Sequence, residues 1–245
     1  VKEGLLEEVK NVCSQITYLN KELDIKAHVV DRGHLVHFLM GKKCKVKAPH
    51  YIIVTSNKGN DYLQNIGFAM EEVVLKLTTL GLATCWLECN IKREDILEFV
   101  QLKDSDEEKN EESKNVNLEQ PYSIIAFGYP DEDEKLFRTN KDVDRKRISH
   151  VCRKLDKNLE KIVEALRWAP SVKNSQPWIL YNNSNMVHLY EEKQKKNIKD
   201  NKISMGIALR HFDIACNKFG LEVDYSKIDV KKRMAKEYYI TATLK

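Results

Sequence analysis

The sequence predicts an α+β chain built around two long paired helices and arising by internal duplication. Two stretches, "IGFAMEEVVLKLTTLGL" at 66–82 and "MGIALRHFDIACNKFGL" at 205–221, align without a gap, and Gly67, Ala69, Gly81 and Leu82 recur as Gly206, Ala208, Gly220 and Leu221. Their apolar seams also coincide. Ile66, Met70, Val73, Leu77 and Leu80 match Met205, Leu209, Phe212, Cys216 and Phe219, with the alternating spacing by which two helices pack along each other. Any two amphipathic helices can share such a seam; the matching glycines set this pair apart. Short strand patterns are interspersed with the helical ones, the mark of a mixed fold. At 245 residues, 42% hydrophobic and 32% charged, the chain reads as soluble and globular, long enough for one large domain or two small ones. The simplest physical reading is two related halves, 1–150 and 151–245, whose long helices pair about a pseudo-twofold axis as two subunits would.

The elements follow in order. Leu5, Leu6, Val9, Val12, Cys13 and Ile16 give the first helical pattern; it begins at once on Val1, and the chain reads as missing its native start. A basic, weakly patterned stretch runs to Lys47. The Tyr51 to Val54 run is a buried strand bounded by Pro49 and Ser56. A long helix is predicted from about Tyr62 to Leu82, and a further helix in "NIKREDILEFVQL" with Asn90 as N-cap. Gln101 to Gln120 has almost nothing to bury and reads as a solvated excursion. Strand pattern resumes at "YSIIAFGYP"; an acidic and then basic connector, Asp131 to Arg147, leads to a helix from about Leu159 to Trp168. "PWILY" and "MVHLY" form strands about the turn-prone "NNSN". The second long helix, from about Ile203 to Phe219, precedes "EYYITATL", whose Tyr238, Ile240, Ala242 and Leu244 share one face as in a half-buried strand.

Composition excludes several function classes. The net charge of +4 comes from 41 basic and 37 acidic residues that are mostly interleaved, a weak footprint for a nucleic-acid binder. The six cysteines include no Cys-x-x-Cys pair, which favours reduced packing thiols in a cytoplasmic setting. Cys85 and Cys89 have no second pair or nearby His at ligand spacing, so no metal is expected. His34 and His37 lie in a mixed apolar run without a nucleophile motif and read as exposed or satisfied histidines. No signal peptide is recognisable, and the apolar stretch from Ile66 to Leu87 is interrupted by Glu71, Glu72 and Lys76, so it is no membrane span. Neither a Gly-x-Gly-x-x-Gly loop nor a Walker sequence occurs.

One loop stands out. "APSVKNSQPW", 169–178, sets Ser171, Asn174, Ser175 and Gln176 between Pro170 and Pro177 and closes on Trp178. It reads either as a capped helix terminus with a turn or as a rigid polar loop shaped to hydrogen-bond a planar ligand. "LRWAPSVKNSQPW", "LGLATCWLE" and the paired long helices together resemble the FMN-dependent nitroreductase family, most closely its branch in which one chain carries both halves of what is elsewhere a homodimer. The resemblance spans nearly the whole chain and implies an α/β/α sandwich with one composite flavin site. The Pro-Ser-x-x-Asn loop would come from the second half, and "LGLATCWLE" with the basic Arg145 and Arg147 from the first.

The resemblance also implies roles. Ser171 and Asn174 would hydrogen-bond the polar edge of the isoalloxazine or its ribityl chain, and Pro170 and Val172 would supply flat apolar contact, with Gln176 and Ser175 beside them or bracing the loop. Trp86, Leu87, Glu88 and Cys89 match the segment whose backbone amides approach the reactive edge of the flavin, where N–H dipoles stabilise developing negative charge. Arg145 and Arg147 resemble the residues that hold the FMN phosphate. The chain departs from the family pattern in carrying Cys89 where Gly is common, and in lacking an Arg-Arg-Ser-like opening. Lys42, Lys43 and Lys45 could compensate or simply face water. Trp168 and Trp178 could be core residues or ligand stackers.

The implied activity is hydride transfer from NADH or NADPH through FMN to a small conjugated acceptor such as a nitroaromatic or quinone, with ping-pong kinetics and no amino-acid acid/base pair. A monomer is expected, the dimer interface being internal. The alternative is a degenerate member that holds flavin weakly, or another ligand, without redox catalysis.

Overall fold

The computed structural model describes residues 1–42, 44–98, 100, 102, 118–133, 135–137, 139, 143–193 and 198–245. Most of the 101–120 segment, part of the 131–147 connector, and Lys43 lie outside the described residues. The chain is α+β and forms two compact units, Val1–Tyr62 with Glu72–Phe137, and Leu63–Glu71 with Arg138–Lys245.

In chain order the first unit contains α1 (Glu3–Ser14), β1 (Lys26–Val30), α2 (Gly33–Met40) and β2 (His50–Ser56). The end of α3 (Tyr62–Thr79) follows, then β3 (Ala83–Glu88), the short α4 (Arg93–Ile96) and β4 (Gln120–Gly128). The sheet order is β1-β2-β4-β3, antiparallel throughout. Every residue of β2 is buried, so an internal strand covered on both faces reads as an unbroken apolar run. Val30, Val36, Tyr51, Ile53, Ile96 and Ile124 centre the core. Leu6, Val9 and Cys13 form the buried stripe of α1, as the sequence period requires. The predicted helix after Asn90 is far shorter than its pattern: α4 starts after Lys92, where Asp95 accepts the Lys92 N–H at 3.4 Å. The basic stretch before Lys47 holds β1 and α2, which the sequence pattern does not reveal.

A buried carboxylate ties this unit together. Glu119, 6% exposed, accepts from Lys26 Nζ at 2.5 Å and from the Thr55 hydroxyl, with His28 Nε2 at 3.4 Å. Its backbone carbonyl accepts Arg93 Nε at 3.2 Å. Burial pushes the carboxyl pKa up, but the hydrogen bonds from His28, Lys26 and Thr55 outweigh it and hold the group at about 2.

The second unit contains the Leu63–Glu71 portion of α3, then α5 (Ile148–Val151), β5 (Cys152–Arg153), α6 (Glu160–Arg167), β6 (Trp178–Asn183), β7 (Met186–Glu192), α7 (Ile198–Lys218), β8 (Val223–Ser226) and β9 (Lys236–Leu244). Its sheet order is β5-β6-β7-β9-β8, antiparallel except for the β5–β6 pair. Leu166 of α6 and Leu209 and Phe212 of α7 converge on Leu180, Leu189 and Ile240 of the sheet. Interior β9, between β7 and β8, buries Tyr239, Ile240, Thr241 and Ala242 in succession, correcting the half-buried expectation. Its opposite face is covered by the 227–235 segment, anchored where Ile228 N–H donates to Tyr238 Oη at 3.2 Å.

The Leu63–Glu71 turns and α7 touch backbone to backbone through the two aligned glycines. A Cβ on Gly67 would lie 2.0 Å from Ile203 O, and one on Gly206 would lie 1.8 Å from Gln64 O. Each glycine thus meets the carbonyl of the residue three positions before the other, a locally twofold pattern. Arg210 Nε donates to Phe68 O at 2.9 Å, its guanidinium carbon lies 3.5 Å from the Phe68 ring centroid, and His211 Nε2 is 2.8 Å from Glu71 Oε1.

All six cysteines are free thiols. Burial pushes Cys13 and Cys216 up to about 12 and Cys152 to about 11, which leaves them as inert packing groups.

Candidate functional site

Helix α6 ends where Pro170 removes the next backbone donor, and the chain turns through a short 3-10 stretch, Val172–Asn174. Lys173 (φ 49°), Asn174 (φ 54°) and Gln176 (φ 46°) all lie in the left-handed region. Asn tolerates this better than most residues, but each such residue costs of order 1 kcal/mol and persists only where its surroundings hold it.

The restraints are visible. Within the loop, Asn174 N–H donates to Ser171 O at 3.0 Å and Ser175 N–H to Val172 O at 2.9 Å, while Gln176 N–H donates to Ser171 Oγ at 2.9 Å. From α7, Ser204 Oγ accepts Val172 N–H at 3.2 Å, and Asn201 Oδ1 accepts the Ser175 hydroxyl at 3.1 Å. The connector supplies the third set. Arg145 donates through Nη1 to Asn174 Oδ1 and through Nη2 to Trp168 O, both at 3.1 Å, and Asn174 Nδ2 donates to Asp144 O at 3.0 Å. Lys146 N–H donates to Gln176 Oε1 at 2.7 Å, and Lys146 Nζ to Gln176 O at 3.0 Å.

The sequence-selected residues therefore divide. Arg145, Ser171, Asn174 and Gln176 form one hydrogen-bonded assembly. Gln176 is 4% exposed, and its side chain braces the loop, also donating to Asn174 O at 3.2 Å. Asn174 is exposed, whereas Pro170, Ser171 and Val172 are partly exposed. Arg147 and Lys173 are exposed cations flanking the assembly in sequence. Trp178 is core, 1% exposed. Trp168 is partly buried; its indole N–H donates to Glu164 at 3.0 Å, and the Arg145 and Arg167 guanidinium carbons lie 5.9 and 5.8 Å from its ring. The bonds from Arg167 and Trp168 hold the Glu164 carboxyl below the ordinary range.

In the first unit, Trp86, Leu87 and Glu88 lie on β3, paired with Ile125, Ile124 and Ser123 of β4. This is an edge strand, so the side away from β4 has no strand neighbour within its sheet. Leu87 and Cys89 pack against the unit's core. Lys42 and Lys45 are exposed. Among the described residues no group of acidic, His and Cys side chains could hold a metal ion, and no helix is long and apolar enough to cross a membrane.

The donor set suits an anionic planar group. Cationic side chains flank a loop that offers partly exposed apolar Pro170 and Val172 and the Ser171 hydroxyl, which accepts from Gln176 and retains its own proton for donation. Sequence reasoning missed Asp144, Trp168 and Lys146 as partners because they act largely through backbone atoms, which side-chain identity does not mark.

A family profile described as "Putative TM nitroreductase" matches residues 1–216. Among solved structures, the chain is similar to a putative nitroreductase from Thermotoga maritima, with 23% identity over 100% of this chain and 84% of that one and a TM-score of 0.58. A putative NADH oxidase from Clostridium acetobutylicum is similar at 18% identity over 64% of this chain and 90% of that one, TM-score 0.42. An FMN-dependent nitroreductase from Clostridium difficile is similar at 19% identity over 60% and 89%, TM-score 0.40. No curated protein matches the chain.

Proposed function

Since the chain belongs to the family described as putative TM nitroreductases, we propose that it is an FMN-dependent oxidoreductase taking hydride from NADH or NADPH and reducing a small conjugated acceptor such as a nitroaromatic or quinone. The observation that carries the reading is the strained loop from Ser171 to Gln176, cross-linked to Arg145 and Lys146. Left-handed backbone maintained by so many hydrogen bonds is the kind of preorganisation a ligand clamp needs.

Bound FMN supplies the redox chemistry. The chain's own residues bind and orient: Pro170 and Val172 offer flat apolar contact, the Ser171 hydroxyl a donor, and Arg145 and Arg147 charge for a phosphate. Trp86, Leu87, Glu88 and Cys89 are proposed to contribute backbone donors. One pocket taking electron donor and acceptor in turn would give ping-pong kinetics. Sister halves within one chain are supported by the reciprocal Gly67 and Gly206 contacts, and a monomer follows from that reading.

A second reading, the fold retained with flavin held loosely, is favoured by one observation. Both polar atoms of the Asn174 amide are already committed to Arg145 and Asp144, so ligand recognition there requires an exchange of partners. Colour separates the two. Purified protein that is yellow and bleached anaerobically by NADH or NADPH supports the enzyme; protein that stays colourless and leaves FMN fluorescence unquenched on titration supports the second reading.

Asn174→Ala is expected to weaken FMN binding by about 1 kcal/mol or more, the scale of a lost hydrogen bond. Fluorescence titration reads this as a rise in Kd of roughly fivefold, and an unchanged Kd removes Asn174 from the site.

A further inference from the structure

A cavity of about 580 Å³ opens in the second unit on the sheet face carrying Tyr181, His188 and Tyr190, with the 228–233 segment as its other wall. No part of the Ser171 loop lines it. Its volume lies in the range of sites for small organic ligands.

The lining has a clear charge. Arg153, Lys154, Lys231 and Arg233 face Asp229 as the acidic residue. None of these cations forms an ion pair among the described residues. The aromatic wall is equally specific. The Arg233 guanidinium carbon lies 3.4 Å from the Tyr181 ring centroid and 5.4 Å from that of Tyr190, so the cation is stacked and partly stripped of water. Two buried polar atoms at the cavity have no protein partner among the described residues, Arg233 Nε and Asn182 Oδ1. An unpaired buried donor and acceptor are costly unless something occupies them.

The wall is held in place. Tyr190 Oη donates to Lys231 O at 3.1 Å, and Lys236 N–H donates to Arg233 O at 3.2 Å. His188 is bonded at 2.8 Å to Thr241 Oγ1, and burial, with the Arg233 charge nearby, lowers its pKa; the imidazole therefore adds a neutral planar surface.

We propose that this cavity binds a small aromatic anion, a planar ring bearing a phosphate or carboxylate, with Arg233 and its neighbouring cations holding the anion, Tyr181 and His188 flanking the ring, and buried Tyr190 backing the wall. The inference is independent of flavin binding at the Ser171 loop.

Isothermal titration of the full chain, with and without saturating FMN, tests it using AMP and salicylate as phosphate- and carboxylate-bearing probes. Adenosine and inorganic phosphate present ring and anion separately. At least one aromatic anion is expected to bind with a Kd below about 1 mM, about tenfold or more tighter than adenosine or phosphate. Arg233→Met should weaken that binding about tenfold, and Arg153→Gln, at an exposed position that packing does not require, should weaken it in the same direction. Loss of binding on FMN saturation overturns a separate site. So does binding unchanged in both variants, or no binding by either probe. Colourless protein that still binds a probe leaves this site standing and removes only the flavin reading.

Discussion

Gly206→Ala is expected to lower the unfolding free energy by about 3 kcal/mol or more, at the upper end of overpacking effects. Helix propensity alone predicts the opposite, a gain of about 1 kcal/mol for replacing a mid-helix glycine. The clash decides the sign: the new methyl would lie 1.8 Å from Gln64 O and 2.7 Å from Phe68 N. Both are backbone atoms of a helix, which cannot rotate aside as a side chain would. Relief requires α7 to back away, loosening the Arg210 bond to Phe68 O. Gly67→Ala should behave alike, since its methyl would meet Ile203 O at 2.0 Å. Once the helices have separated for one methyl the second costs less, so the double variant should lose less than the sum. Gly4→Ala, where an added Cβ meets nothing within 4 Å, is the control and should be neutral or slightly stabilising. Urea unfolding checks all four; equal midpoints for Gly206→Ala and the parent would show that the helices do not make this approach in solution.

Acid should reveal the second large effect. The Glu119 carboxyl is held at about 2 against 4.5 unperturbed. A depressed carboxylate adds stability that is fully present above the unfolded value and drains away as pH falls toward the folded one. The shift corresponds to about 3 kcal/mol, present at neutral pH and lost progressively between pH 4.5 and about 2. Glu119→Gln removes the negative charge facing Lys26 and His28 while keeping the shape, and should destabilise by up to about 3 kcal/mol at neutral pH, the loss of the shifted carboxylate, with Lys26 keeping its second partner Asp24 at 3.2 Å. The variant should also lose this acid-dependent component. Thermal unfolding followed from pH 7 to pH 3 distinguishes the cases: parallel curves for parent and variant would mean that Glu119 does not carry the dependence.

Legibility from sequence tracked burial and periodicity. β2 and β4 were readable because short, β-branched apolar runs flanked by Pro suit a strand covered on both faces better than a helix. The long helices were readable from their seams, although α7 starts at Ile198, ahead of the expected Ile203, where the pattern turns polar. β1 was not readable: its Lys26 and His28 interrupt the apolar run, and their justification is a carboxylate 93 and 91 residues away. In β9 the polar-looking Thr241 is buried because the preceding 227–235 segment covers that face and His188 shares a hydrogen bond with it. At the loop, the turn chemistry of Pro170, Ser171 and Asn174 was legible; Arg145 was picked by resemblance as a phosphate holder, and it lies bonded to Asn174 and Trp168. Its bracing was not, since Asp144 and Trp168 contribute carbonyls and Lys146 an amide beside its ammonium, and backbone groups are ones every residue possesses.

The assignment of Leu63–Glu71 to the second unit bears on how this polypeptide can be divided. Neither unit is an uninterrupted stretch of sequence: one is broken by a loan of helical turns, the other begins with them. A cut at any single junction would separate segments that pack together within one unit, so no one break divides the polypeptide into two intact units.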